Sequence, residues 1–120
     1  MNFLLSLLIA LIIVLHLYFV WLEMFAWTTH GKKTFRGFPD DFFDKTKAMA
    51  ANQGLYNGFL VAGLVWSLLI EDLQWAENVA MFFLGCVAVA GIYGAMTVQK
   101  SIFYVQGLPA IIAIVLILTS

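Results

Sequence analysis

The stretch FLLSLLIALIIVLHLYFVWLEMFAW, residues 3–27, decides the class of fold. Its only acidic side chain is that of Glu23, and it contains no lysine or arginine. A helix of about 20 mostly apolar residues is long enough to cross a bilayer. The stretch has no basic segment before it and no small-x-small cleavage pattern near its end, so it predicts a retained helix and not a signal peptide.

Three more apolar stretches follow, at about residues 48–70, 79–98 and 102–118. The composition agrees with a membrane location, because 63% of the residues are hydrophobic and only 11% are charged, against about 25% charged in soluble domains. The sequence therefore predicts an all-α fold: an integral membrane four-helix bundle that forms a single domain of residues 1–120. The spans are predicted at about 3–27, 48–70, 79–98 and 102–118, with a loop at 28–47.

The distribution of charge predicts how this bundle is oriented. The loop 28–47 holds every lysine and arginine except Lys100, which follows the third span. The connection at residues 71–78 holds three acidic residues and no basic one. Basic loops of membrane proteins remain in the cytoplasm, so we expect a cytoplasmic first loop and both termini on the non-cytoplasmic side. The net charge of −1 gives no basis for binding nucleic acid.

A polar motif, ANQGLYNG at residues 51–58, interrupts the second apolar stretch. Within it Asn52 and Tyr56 are four residues apart, as are Gln53 and Asn57, so each pair shares a helix face. Buried polar groups are costly in lipid and need partners. Because all four spans carry polar side chains toward the cytoplasmic leaflet, we expect a pocket there for an amphipathic or lipid-like molecule. The candidate ligand-binding residues are Glu23, Asn52, Gln53, Tyr56, Asn57, Tyr93, Gln99 and Gln106.

These side chains also have a structural interpretation. Asn, Gln and Tyr commonly form hydrogen bonds between membrane helices, at about 0.6 kcal/mol each on average. Glu23, near the membrane boundary, has the alternatives of reaching water or pairing with a loop lysine. A metal site is not predicted, because His16, His30 and Cys86 lack metal-ligand spacing. The sequence contains no complete catalytic constellation and identifies no cofactor.

Two local predictions concern the loop and the small residues. Pro39 followed by two aspartates indicates a helix start. That helix could continue unbroken into the second span and place Phe42 and Phe43 among lipid headgroups. Gly54, Gly58 and small residues of the third span recur at helical spacing, which predicts close packing of the second and third spans.

The segments YFVWLEMFAW, ANQGLYNGFLVAGL, AGIYGAMTV and VQGLPAI occur in this order along the chain. Together they resemble a bacterial membrane family, domain of unknown function 1304. The resemblance extends over nearly the whole chain. It implies four spans and a multi-pass location in the bacterial inner membrane, and it implies no particular activity.

Residues 48–69, AMAANQGLYNGFLVAGLVWSLL, are also similar to the second helix of the membrane-associated eicosanoid and glutathione metabolism (MAPEG) family. This similarity implies four spans, external termini and a homotrimer, with Asn52 and Tyr93 at positions that contact glutathione in that family. The arginine and glutamate of its second helix are absent here, and Arg36 is the only arginine of the chain. Glutathione chemistry is therefore not predicted.

A third comparison is with the small multidrug-resistance exporters, which are four-span proteins with a glutamate in the first span. It makes a small proton-coupled transporter that uses Glu23 an alternative function. A structural membrane scaffold is another. As partners we expect membrane lipids and further copies of the chain, in a trimer if the protein is MAPEG-like and in a dimer otherwise.

Overall fold

The computed structural model describes residues 1–120 and contains helices but no strands, which confirms the predicted all-α fold. Its elements are α1 (Phe3–Phe25), α2 (His30–Thr34), α3 (Asp40–Lys45), α4 (Lys47–Leu69), α5 (Leu73–Thr97), a π-helical segment (Phe103–Gly107) and α6 (Leu108–Leu118).

The long helices coincide with the predicted spans but differ from them at their ends. Helix α5 begins at Leu73 and not at about residue 79, because the Asp72 carboxylate caps it by accepting a 3.0 Å hydrogen bond from the Trp75 backbone N–H. Helices α1 and α5 are long and apolar enough to cross a membrane. Helix α4 has the length but is less apolar, because it carries the polar motif, and the apolar helix at 103–118 is shorter.

The contacts divide the chain into two compact units. Unit 1 comprises residues 1–15 and 60–120, and unit 2 comprises residues 16–59. Helices α1 and α4 each contribute residues to both units.

Unit 1 is built around an apolar core that four helices share. Its buried members are Leu5, Ile9, Ile12 and Ile13 of α1, Val61 and Leu64 of α4, Ala80, Leu84, Val87 and Ala88 of α5, and Ala110 and Ala113 of α6. These positions recur every three or four residues within each helix, as expected for helices that bury one stripe.

Small residues set the closest helix approaches in unit 1. A Cβ atom at Gly63 on α4 would collide with the ring of Phe83 on α5, so the two helices are in contact at this position, whereas Gly54 packs against α1 and Gly58 has no neighbour within 4 Å. A Cβ atom at Gly91 on α5 would collide with the backbone of Gly107 in the π-helical segment. The sequence does not predict this backbone-to-backbone contact between the third and fourth apolar stretches.

The fourth apolar stretch is not a uniform α-helix. Pro109 lies in the first turn of α6 and has no backbone N–H to donate to the preceding turn. The residues just before it, Phe103–Gly107, form the π-helical segment. Proline therefore coincides with the place where the regular hydrogen-bond pattern of the helix changes.

Unit 2 contains the first loop, which is folded around Trp27. The indole Nε1–H donates a 2.9 Å hydrogen bond to Thr46 Oγ1. The indole ring packs on Phe35 and Phe43, with ring centroids 5.6 and 5.2 Å away. Phe43 is only 1% exposed. The prediction that Phe43 lies among lipid headgroups is therefore wrong, because Trp27 provides an aromatic core for it within the protein.

The predicted helix start at Pro39 is confirmed, since α3 begins at Asp40 with Pro39 as the preceding residue. This helix does not continue unbroken into the second span. It ends at Lys45, and α4 begins at Lys47 after a single non-helical residue, Thr46. The Thr46 hydroxyl donates a 2.7 Å hydrogen bond to the Phe42 carbonyl oxygen, and its oxygen accepts one from Trp27. The non-helical residue between α3 and α4 is therefore hydrogen-bonded to both α3 and Trp27.

Candidate functional site

Glu23 lies in the last turn of α1 and is half-buried. Its Oε1 atom accepts a 2.5 Å hydrogen bond from Nδ2 of Asn57, and the Gln53 side chain lies close to the same carboxyl group. Asn57 and Gln53 are one turn apart on α4, so the carboxyl group links two helices of unit 2. We call these three residues the Glu23 cluster.

Gly54 explains how short amide side chains reach Glu23. A Cβ atom at Gly54 would lie 2.6 Å from Cγ of Met24 and 3.1 Å from Cβ of Glu23, so only glycine allows α4 to approach α1 this closely. Gly58, one turn further along, has no atom within 4 Å of the corresponding position. The two glycines of the motif therefore differ, since Gly54 is a packing residue of the cluster and Gly58 is not.

The Glu23 carboxyl group has no basic partner. The only ion pair of the chain joins Lys45 and Asp41, at 3.0 Å and on the surface. The alternative in which Glu23 pairs with a loop lysine is therefore wrong. A carboxylate offers about four acceptor positions, and the amide groups of Asn57 and Gln53 beside it are neutral. The group can accept further hydrogen bonds and could neutralise a positive charge.

The other predicted site residues on α4 do not join this cluster. Asn52 is exposed, and Tyr56 is 63% exposed with its ring edge against Phe59. Of the two pairs with four-residue spacing in the motif, one reaches Glu23 and the other faces outward. The four-residue spacing does not distinguish the two pairs. Which pair meets Glu23 depends on the side of α4 on which α1 packs.

The remaining candidates belong to unit 1. Tyr93 is 67% exposed on α5. Gln99 donates a 2.6 Å hydrogen bond to the Ser101 hydroxyl just after that helix, and Gln106 lies half-buried in the π-helical segment. A pocket shared by all eight candidate residues stays a prediction.

Unit 1 also has two open clefts, which the sequence does not predict. One, of about 320 Å³, is lined by Trp66, Trp75, Asn78, Val79, Phe82 and Phe83. The other, of about 620 Å³, is lined by Phe82, Gly85, Cys86, Val89, Ala90 and Tyr93. The available signal for the first cleft is a pair of tryptophans, of which Trp66 precedes the acidic connection at 71–78 and Trp75 lies within it. No group of three or more His, Cys, Asp or Glu residues is arranged to hold a metal ion.

Comparison with known protein families gives evidence that is independent of this geometry. The model of the family described as "Protein of unknown function (DUF1304)" matches residues 10–118, a range that contains the whole Glu23 cluster. The chain belongs to the DUF1304 family. The resemblance seen in the sequence is thereby confirmed, whereas the resemblance to the MAPEG family receives no support.

A curated relative agrees with the DUF1304 assignment. The chain is 30% identical over 116 residues to "Uncharacterized protein YpaA" from Lactococcus lactis subsp. lactis (strain IL1403). The match covers 92% of this chain and 94% of YpaA. No solved structure matches the chain.

Proposed function

We propose that this DUF1304 protein is a multi-pass protein of the bacterial inner membrane, with four spans arranged as a bundle. Its Glu23 cluster binds the polar group of an amphipathic, lipid-like molecule at the cytoplasmic leaflet. The termini lie on the non-cytoplasmic side, and the working form is a homo-oligomer.

The membrane location is supported by the outward faces of the apolar helices. Only 22% of the residues in the apolar window of α1 and 33% of those in α5 are buried within the chain. Large apolar side chains such as Leu7, Val14 and Phe82 are more than half exposed. Soluble monomers rarely expose contiguous apolar surface on this scale, whereas a helix that is apolar all round suits a bilayer.

The observation that carries the ligand proposal is the Glu23 carboxyl group, which is half-buried in an apolar helix, accepts a hydrogen bond from the neutral amide of Asn57 and has no ion-pair partner. A ligand with an ammonium or hydroxyl group supplies the donor that the cluster lacks. Charge-assisted hydrogen bonds of this kind are roughly twice as strong as neutral ones. The apolar surface of α1 then accommodates the acyl part of the same molecule.

The test is native mass spectrometry of the full chain, released from membranes in a mild detergent. We expect wild-type protein to retain a small molecule that Glu23→Gln loses, since the neutral amide cannot balance a cation. The matched control is Glu71→Gln, which removes an exposed carboxylate outside the cluster. If Glu23→Gln lowers thermal stability but leaves the retained molecules unchanged, the cluster is a helix–helix link and the protein is a scaffold.

A proton-coupled transporter is the second candidate, favoured by the presence of Glu23 in a helix that is long enough to span. It is tested in liposomes with an imposed proton gradient. Substrate flux that depends on the gradient and disappears in Glu23→Gln would establish transport in place of binding alone. A glutathione-conjugation assay tests the MAPEG-like enzyme, and we expect no activity, because the arginine and the glutamate of the second helix in that family are missing here.

A further inference from the structure

Charges of opposite sign are separated along the folded first loop. Residues 30–36, HGKKTFR, contain Lys32, Lys33 and Arg36 and no acidic residue. Residues 40–44, DDFFD, contain three aspartates and no basic residue. The only ion pair of the chain, Lys45–Asp41, lies within and just after the acidic segment. The three basic side chains of the first segment therefore have no carboxylate partner.

The Arg36 side chain is held beside Lys33. Its Nε–H donates a 3.1 Å hydrogen bond to the Lys33 carbonyl oxygen. This bond occupies one nitrogen and leaves the two terminal nitrogens of the guanidinium group for another acceptor. Arginine binds phosphate oxygens through pairs of N–H groups, and lysine binds them as a point charge. Lys33 and Arg36 are both exposed.

The basic segment, residues 30–36, packs against the indole ring of Trp27. Gly31 is buried, and a Cβ atom at this position would lie 3.1 Å from Cε3 of Trp27, so α2 lies directly on the indole ring. Phe35, one residue before Arg36, packs on the same ring. The segment also contacts α1, because the ring of His30 lies 5.0 Å from the ring of Trp21, which is 41% exposed. Exposed aromatic surface of α1 therefore borders the start of the basic segment.

We infer that Lys32, Lys33 and Arg36 form a binding site for the phosphate of an anionic phospholipid in the cytoplasmic leaflet. The inference rests on the proposed membrane location and orientation. The lipid is favoured over a soluble phosphate compound because the exposed ring of Trp21, on the apolar helix α1, borders the start of the basic segment and provides apolar surface for the rest of a lipid. Each basic side chain near an anionic membrane surface strengthens association by roughly fivefold.

The experiment uses the full chain in nanodiscs that contain equal amounts of phosphatidylglycerol and phosphatidylcholine. Lipids that remain bound after release are counted by native mass spectrometry. We expect wild type to retain phosphatidylglycerol about fivefold or more over phosphatidylcholine. The variant K32Q/K33Q/R36Q should lose this preference. The control K45Q/K47Q/K100Q removes the same number of positive charges elsewhere and should keep it.

Further arms separate the possible failures. Equal loss of preference in both triple variants would overturn the site, because the general charge of the face would then be responsible. Retention in both would also overturn it. Competition by millimolar inorganic phosphate would assign the site to a soluble phosphate compound and overturn the lipid. Extraction of the protein from membranes by carbonate would refute the membrane proposal itself, whereas a resistant protein with no lipid preference would refute only this site.

Discussion

The Glu23 carboxyl group accepts a hydrogen bond from the neutral amide of Asn57 and lies close to that of Gln53, and this choice of partners sets the energetics of the cluster. A hydrogen bond to a charged group contributes about 1.5–3 kcal/mol when buried. Double-mutant cycles in a membrane bundle give smaller values, about 0.6 kcal/mol on average. Because Glu23 is half-buried, we expect the free energy contributed by its hydrogen bond to Asn57 to lie between these limits.

Asn57→Ala should lower the free energy of unfolding by about 1 kcal/mol, because it removes the donor of the hydrogen bond to the Glu23 carboxyl group. Asn52→Ala makes the same chemical change at an exposed position of the same helix and should stay within about 0.5 kcal/mol of wild type. The measurement is the unfolding of purified protein in detergent. Equal losses in the two variants would contradict a specific role for Asn57.

Gly54→Ala should destabilise the protein by about 1–3 kcal/mol, since the new methyl group would overlap Met24 and press on Glu23. Gly58→Ala is the matched control, because nothing lies within 4 Å of its Cβ position. There the better helix propensity of alanine should stabilise by up to about 1 kcal/mol. Thermal unfolding midpoints of the two variants should therefore move in opposite directions. A stable Gly54→Ala protein would show that α1 and α4 are not in close contact here.

At the scale of secondary-structure elements, helices α2 and α3 show which structural features a local sequence pattern predicts and which it does not. The start of α3 follows from Pro39 and the acidic residues after it, which act locally. The burial of Phe43 depends on Trp27, which lies far from it in the chain, so a local pattern gives no signal for it. Likewise, four-residue spacing predicts that Gln53 and Asn57 share a face, but the face that meets Glu23 is decided by tertiary packing.

Trp27→Phe should loosen the first loop without unfolding the long helices. The substitution keeps a ring for Phe35 and Phe43 but removes the N–H that donates to Thr46. Loss of about 1 kcal/mol of local stability corresponds to roughly fivefold faster tryptic cleavage after Lys32, Lys33 or Arg36. Trp66→Phe makes the same change outside the loop and should leave the cleavage rate unaltered. Unchanged cleavage of Trp27→Phe would mean that the indole hydrogen bond does not hold the loop.

At the scale of the molecule, composition and apolar length predict the helical class, and the structure confirms it. The positions of the long helices follow from the apolar stretches as well. The proposed orientation in a bilayer rests on charge alone, through the basic loop at 28–47 and the acidic connection at 71–78. The site is less predictable, because convergence of side chains depends on how the helices pack.

Orientation can be tested in a Cys86→Ala background, which removes the only native cysteine. Single cysteines are introduced by Gly37→Cys in the first loop and by Glu71→Cys in the acidic connection, both exposed positions. We expect a membrane-impermeant maleimide to label Glu71→Cys in intact spheroplasts and Gly37→Cys only after permeabilisation. The reverse pattern would place the basic loop outside, and labelling of both without permeabilisation would contradict a four-span topology.

The contact between Gly91 and Gly107 limits which substitutions the protein can tolerate at these two positions. Each residue is already the smallest possible, and a Cβ atom on Gly91 would meet backbone, which cannot rotate aside as a side chain does. A harmful Gly91→Ala substitution therefore has no second-site suppressor at position 107. Any revertant has to arise from changes that move the two segments apart, so in a saturation screen Gly91 should tolerate no replacement, whereas Gly85, with open space around it, should tolerate several.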